Sequence, residues 1–252
     1  MDGTADQDGS TQERYDVVVV GGGVAGLSAA TFTGRNDLTT LVLDAGDSIL
    51  RRNAHLENFP GFPAGVNPRR LLGLLGEQAD TAGCTRRTAH VTDAERDDDG
   101  FTVRTNGDAY AADYVVAATK GETGYLDAVD GVSLVERGKT YVDVDERGRT
   151  GVPGLYAAGR LAGKPHQAVV CAGHGAEVGA TILEDDDRPF YHDWVTPDGY
   201  FTDRGRDLPP GCEEIDAAER ERREAHSRET MRERFADPHP DAQETHPSLR
   251  DD

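Results

Sequence analysis

Residues 15–44 read YDVVVVGGGVAGLSAATFTGRNDLTTLVLD. An apolar run, Asp16 to Val20, meets the glycines Gly21, Gly22, Gly23 and Gly26 and then a stretch of small residues. A second apolar run, Thr40 to Leu43, ends in an acid, Asp44. Strand, glycine turn, helix, strand and acid in this order form the dinucleotide-binding pattern G-x-G-x-x-G. Each residue type has a physical reason. Gly21 permits the tight turn off the strand. Gly23 has no side chain, so a pyrophosphate can approach the backbone. Gly26 lets the helix pack close to the strands. The helix N-terminus offers free N–H groups and the positive end of its dipole to phosphate. Asp44, eighteen residues beyond Gly26, is placed to accept hydrogen bonds from ribose hydroxyls. A glycine-rich turn that binds nothing would need only the glycines; here strand, helix and acid are all in register.

Outward from this stretch, residues 1–13 read as a solvated polar tail. Arg51 to Pro63 is a long loop with two prolines. Asn67-Pro68 opens a helix that runs to about Ala82. Ala89–Glu95, Phe101–Thr105 and Tyr110–Ala117 read as a three-stranded β-meander, and Tyr114–Ala118 as a strand returning to a parallel sheet. A hairpin is expected near Val142–Gly148, a short buried strand over Leu155–Ala158, and a small-residue helix from about Gln167 to Leu183. From Glu184 onward the composition changes. An aromatic cluster (PFYHDW at 189–194, then Tyr200 and Phe201) precedes a charged helix, Glu213 to about Phe235. The last stretch carries three prolines and reads as disordered or laid along the surface.

The chain holds 47 acidic against 27 basic residues, a net charge of −20, and only Lys120, Lys139 and Lys164 are lysines. An acid-rich, lysine-poor composition suits a halophilic cytoplasm. At about 1 M salt the Debye length is about 3 Å, so self-repulsion is screened. The charge opposes nucleic acid and anionic membranes as partners. No apolar run approaches the roughly 20 residues that span a bilayer, and the N-terminus lacks the order of a signal peptide. A cytoplasmic location is the expectation. The three cysteines, Cys84, Cys171 and Cys212, form no C-x-x-C, and no metal-ligand spacing is present.

Three segments together resemble the FAD domain of thioredoxin reductases and related pyridine nucleotide–disulfide oxidoreductases. They are VVVVGGGVAGLSAA with Asp44, HLENFPGFP at 55–63, and VPGLYAAGR with HQAVVCAGHGAEVGA between Val152 and Ala180; YVVAAT at 114–119 matches the strand before the last of these. The resemblance covers residues 15–183. It implies FAD as cofactor, with Gly21, Gly23 and Gly26 at the pyrophosphate and Asp44 at the adenosine ribose. It also implies Asn58 near the flavin, the backbone of Val91 facing the adenine, and Gly159, Arg160, Gln167 and Ala168 along the ribityl chain and ring. The expected fold is α/β. It is an FAD/NAD(P)-binding Rossmann-like parallel sheet with helices on both faces, a three-stranded β-meander and a charged C-terminal extension. Residues 14–183 form the FAD-binding domain and 184–252 the acidic extension.

The departures from the family shape the functional expectation. Where the family inserts a second dinucleotide domain, only Thr119 to Gly151 joins the two FAD segments, too short for a βαβαβ unit. The redox C-x-x-C of that domain is missing with it. Arg160 stands where the family has an Asp that bonds the ribityl hydroxyl; a guanidinium cannot accept that bond, but it can approach the pyrophosphate. Lys120 replaces a glycine. The reading is an FAD-dependent oxidoreductase without its own NAD(P)H domain, exchanging electrons with free NAD(P)H or a redox protein. The alternatives are a non-catalytic flavin or nucleotide module that senses redox state, or an NAD-binding protein. By resemblance a homodimer is expected. Cys171, His55, His166 and His174 lie in the flavin-flanking segments, but none is singled out as catalytic. Lys120 and Arg160 are candidates to stabilise a reduced, anionic flavin.

Overall fold

In the computed structural model, residues 13–190 and 192–249 are described; the N-terminal tail, Tyr191 and residues 250–252 lie outside them. The first strand, β1 (Glu13–Val20), is the centre of the sheet. It pairs in parallel with β2 (Thr40–Asp44) on one side, and the two are joined by helix α1 (Val24–Arg35). Val17 and Val19 point to one face and Val18 and Val20 to the other, all buried, which is the period-two signature of a strand covered on both sides. Helix α2 (Pro68–Thr81) starts where expected: the Asn67 side chain accepts the N–H groups of Arg69 (2.9 Å) and Arg70 (3.3 Å), and proline occupies the first helical position.

A strand that the sequence did not signal follows. β3 (Thr85–Thr88), TRRT, pairs in parallel with β2 at the sheet edge. It has no apolar alternation because it is largely exposed. Its arginines pair with Asp80 (2.6 Å) and Glu13 (2.7 Å), a charged edge of the kind that discourages further strand addition. The meander is β4 (Val91–Asp97), β5 (Gly100–Thr105) and β6 (Ala109–Ala117). The expected separate returning strand is the C-terminal half of β6, which lies parallel to β1 over its length. On its other edge β6 pairs antiparallel with β5 through Ala109–Ala112 and parallel with a later strand through Val115–Ala117.

The hairpin lies earlier than expected, as β7 (Leu134–Glu136) and β8 (Thr140–Val142); residues 145–148 form only a turn. β9 (Leu155–Ala157) completes the sheet, and α3 (Ala168–Asp185) follows. The expectation of helices on both faces is corrected. α1, α2 and α3 all pack on the Val17/Val19 face. The opposite face is covered by meander side chains such as Phe101 and Val103 and by Tyr125, Leu126, Val142, Val152 and Leu161 from the connecting segments. Segment 119–151 is too short to build a helix layer and supplies single side chains instead.

Beyond α3, β10 (Trp194–Pro197) and β11 (Cys212–Ile215) form a small parallel pair, and α4 (Ala217–Arg234) buries none of its residues. The Glu214 carboxyl is drawn upward by burial. Hydrogen bonds from Phe201 N–H, the Thr202 hydroxyl and N–H, and Gly199 N–H overcome this and bring it down to about 2. The extension is tied to the body by Arg35–Asp193 (2.5 Å), Arg234–Glu77 (2.9 Å) and the Phe62–Phe235 ring contact, and the terminal stretch by Arg51–Glu244 (2.7 Å). No helix among the described residues is long and apolar enough to cross a membrane.

Glycines set the closest contacts. A Cβ at Gly26 would lie 1.9 Å from the Gly21 carbonyl oxygen, and one at Gly175 of α3 would lie 2.0 Å from the Ala25 oxygen of α1. Gly173, two residues earlier and so on the other side of the helix, faces open space. Gly175→Ala should therefore destabilise the protein by about 3 kcal/mol through overpacking, while Gly173→Ala should be neutral or stabilise it by about 0.5–1 kcal/mol. Urea unfolding of the two variants checks the contrast; equal midpoints would contradict the packing described.

Candidate functional site

A cleft of about 550 Å³ opens along the C-terminal ends of β1, β2 and β6. Its floor is the glycine turn. Gly21 has φ +113°, and a Cβ there would meet the Ala118 carbonyl at 2.8 Å, so no other residue fits. Gly23, the N-cap of α1, supplies no side-chain cap, and the first turn holds no acid. The first amides of α1 are therefore free for an anion. Asp44 closes the end of β2. Its Oδ1 accepts the Gly46 N–H (3.1 Å), and a Cβ on Gly22 would strike its carboxyl at 2.5 Å, so the second glycine is needed to admit the acid.

Of the residues proposed from sequence, Gly21, Gly23, Asp44, Asn58, Val91, Arg160, Gln167 and Ala168 line this one cleft. Gly26 and Gly159 do not. Gly26 sits behind the floor against Gly21. Gly159, with φ +65°, is wedged beside Ala25, where a Cβ would lie 2.6 Å from the Ala25 Cβ. Both shape the cleft without facing it. Asn58 Nδ2 donates to Gln167 Oε1 (2.8 Å), joining the loop after β2 to the start of α3. Lys120 Nζ is ion-paired with Asp47, so the loops after β6 and β2 are clamped together at the mouth. Asp47, Ser48, His90 and Tyr125 also line the cleft. Asp47 could have been suspected from its place three residues after Asp44; Tyr125 carried no signal, because only the fold brings it there.

The two buried thiols, Cys84 and Cys171, are not poised for redox work. Burial pushes Cys84 up to about 11, and its Sγ donates to the Ala30 carbonyl (3.1 Å) in the core. Cys171 does line the cleft, but burial raises its pKa as well. His166 at the rim is pushed below its ordinary value by burial and by Arg160 and Lys139. His174 is buried. Its Nδ1 accepts the Gly159 N–H (3.0 Å), and its Nε2 has no partner. Burial, with a contribution from Lys164, brings its pKa down to about 4.

The glycine floor, the free α1 amides and Asp44 fit the adenosine and pyrophosphate portions of a dinucleotide. At the α3 end of the cleft, Arg160 offers hydrogen-bond donors and no acceptor. Comparison with known proteins agrees with the floor. Residues 16–53 match the family model of the FAD binding domain, and residues 82–175 that of pyridine nucleotide-disulphide oxidoreductases. The chain is thioredoxin reductase-like over part of its length.

The thioredoxin reductase of Treponema pallidum is 32% identical over 131 residues, 50% of this chain and 42% of that protein. That of Listeria monocytogenes is 30% identical over 137 residues, 54% and 43% of the two. The chain thus spans less than half the length of these curated relatives. Among solved structures, the thioredoxin reductase of T. acidophilum superposes with a TM-score of 0.61 at 21% identity, covering 69% of this chain and 99% of that one. That of Gloeobacter violaceus gives 0.63 at 20%, covering 73% and 100%. These likenesses show the fold: a mixed α/β unit whose parallel strands β3-β2-β1-β6 match the thioredoxin reductase-like FAD domain. The FAD binding domain match implies FAD.

The buried His174 ties the thioredoxin reductase-like second motif to the core, and it makes stability depend on pH. Its folded pKa of about 4 lies below the unfolded value of 6.5, so the unfolded chain takes up the proton first as pH falls. Stability present above pH 6.5 is then lost on acidification. Between pH 6.5 and 5 the loss from this group should be roughly 1.5 kcal/mol. His174→Asn keeps an acceptor for Gly159 N–H and should lack this slope. Parallel urea titrations of the two proteins across that window check it; identical slopes would contradict it.

Proposed function

We propose that this chain is an FAD-dependent oxidoreductase that exchanges electrons with free NAD(P)H or with a redox partner protein. The observation that carries the reading is the single cleft that gathers Gly21, Gly23 and Asp44 from the first motif with Gln167 and Ala168 from the second, closed by the Asn58–Gln167 hydrogen bond. Residues 14–183 act in this reading as the FAD-binding unit and 184–252 as an acidic extension.

FAD, when bound, supplies the electron and hydride chemistry; the protein sets its position, access and potential. Asp44 accepts from the adenosine ribose. The free α1 amides and Gly23 take the pyrophosphate, with Gly26 behind them holding the helix against the strand. The Val91 backbone lies at the adenine end. Asn58, Gln167 and Ala168 stand at the opposite end, with Gly159 fixing the turn that presents Arg160. A guanidinium there favours added negative charge on the bound group. Lys120, already neutralised by Asp47, holds the mouth closed and contributes little charge.

The usual dithiol route of thioredoxin reduction is not part of this reading. The sequence has no C-x-x-C, and segment 119–151 forms one hairpin and a 3-10 turn with no second dinucleotide fold. The electron donor must then reach the flavin from outside the FAD-binding unit.

Anaerobic titration of the FAD-loaded protein with NADPH and NADH should bleach the flavin absorbance. A flavin that stays oxidised with both, yet is reduced by dithionite, would sink the nicotinamide arm; no reduction by redox proteins either would favour the sensor. Arg160→Met should lower the flavin reduction potential, and an unchanged potential would show that Arg160 does not face the flavin's charge.

A further inference from the structure

One wall of the cleft is an irregular segment, and the C-terminal extension grips it at both ends. The wall begins in the 3-10 turn Ile49–Arg52 and runs on to Phe62. It contributes Ile49, Leu50, Asn53, His55, Leu56 and Asn58 to the cleft lining. Its backbone is held by short bonds. Arg51 N–H donates to the Ser48 carbonyl (3.0 Å), Asn53 N–H to the Leu50 carbonyl (3.0 Å), and Leu56 bridges Val66. Segments without a regular ladder open locally at low cost unless other parts of the chain tie them down.

The ties come from residues far away in sequence. At the first end, Glu244 meets Arg51 twice. Its N–H donates to the Arg51 carbonyl (2.9 Å), and its carboxylate accepts from Arg51 Nε (2.7 Å). The same carbonyl also accepts from Arg69 Nη1 of α2 (3.0 Å), which reaches the Asn53 carbonyl as well (3.0 Å). The Arg51 peptide is thus shared by α2 and the terminal stretch. At the second end, Phe235, the residue after α4, contacts the Phe62 ring (centroids 6.1 Å apart) and lies under the Arg70 guanidinium (5.1 Å). Phe62 in turn packs on the core beside Phe59. Phe235 is itself anchored, because Arg234 pairs with Glu77 of α2 (2.9 Å) and Arg70 donates to the Asp237 carbonyl.

We propose that Glu244 and Phe235 are positioning residues for the cleft: the extension braces the wall from Arg51 to Phe62 and thereby slows release of the bound dinucleotide. The release half rests on the flavin reading above; the brace itself stands on these contacts. A wall that the ligand must order costs affinity, whereas one fixed beforehand does not. Between the two anchors lies Asn58, whose bond to Gln167 (2.8 Å) joins this wall to the start of α3. Loosening the anchors frees Asn58 from that alignment and opens the closure between the two motifs.

The test uses the full chain as wild type, Phe235→Ala/Glu244→Gln, Glu244→Gln alone, Phe235→Tyr and Asp193→Asn. Asp193→Asn cuts a tie of the extension to α1 instead of to the wall, and asparagine tolerates the φ of +47° there. Hydrogen exchange of residues 49–58 is followed by mass spectrometry in the cofactor-free proteins. The double variant should exchange there about tenfold faster than wild type, with the sheet and the melting temperature unchanged. FAD release is then followed by flavin fluorescence on dilution of the loaded proteins. It should be about tenfold faster in the double variant and about threefold faster in Glu244→Gln, whose half-exposed ion pair is worth less. Phe235→Tyr keeps the ring and should match wild type in both measurements, as should Asp193→Asn. A wild type that loads no FAD counts against the flavin reading alone, and the exchange data still decide the brace. Equal exchange of residues 49–58 in wild type and both Glu244 variants overturns the proposal. So does faster exchange there with unchanged FAD release, or exchange that rises equally across the whole chain.

Discussion

Helix α1 is held by backbone-to-backbone contacts that tolerate no side chain, and the rest of the structure depends on this. On one side Gly26 lies against the Gly21 carbonyl; on the other, Gly175 and Gly179 of α3 lie against the carbonyls of Ala25 and Ala29. The helix is therefore fixed between the central strand and α3. Its N-terminus is forced to the end of β1, and the start of α3 is brought beside it. The cleft is the space that this packing leaves above the two helix starts and the strand ends. The free amides at the start of α1 and the Asn58–Gln167 closure follow from geometry set by these small residues.

The side chains around the cleft then divide by environment. The Cys84 and Cys171 thiols are buried and raised in pKa, which keeps them protonated. His174 is kept neutral by burial and works as an acceptor for the second-motif turn. Away from the cleft, many arginines are paired with the abundant acids at exposed sites. Each such pair is worth little alone, at most about 1 kcal/mol, but together they tie the C-terminal extension onto α1, α2 and the loop after β2. Redox chemistry, if FAD brings it, has no protein dithiol to pass through among the described residues.

Much of this was legible in the sequence for a physical reason. The glycine turn, Asp44, Asn67 as helix cap and the small-residue helices are local requirements, each written in adjacent residues. β3 was not legible, because an exposed edge strand held by backbone bonds and arginine pairs needs no apolar alternation. Nor was the one-sided helix layer: which face a helix covers is decided by packing, and α3 follows α1 to the same face through Gly175 and Gly179. At the cleft, the lining residues next to the glycine motifs could be read from pattern. The Asp47–Lys120 clamp and Tyr125 were not, since the partners lie 73 residues apart in one case and belong to an irregular segment in the other. Gly26 and Gly159 were assigned to the ligand but lie behind the cleft lining, a distinction spacing alone does not make.

The central claim is that the packed α1–α3 pair and Asp44 make an FAD site despite Arg160. The most direct measurement is the cofactor content of the purified chain, from its visible spectrum and from identification of what heat releases. The account predicts a flavin spectrum and FAD released near one per chain, lost when Gly23 is replaced by valine in a protein that stays folded. A colourless protein that takes up no added FAD, while remaining folded, would contradict it.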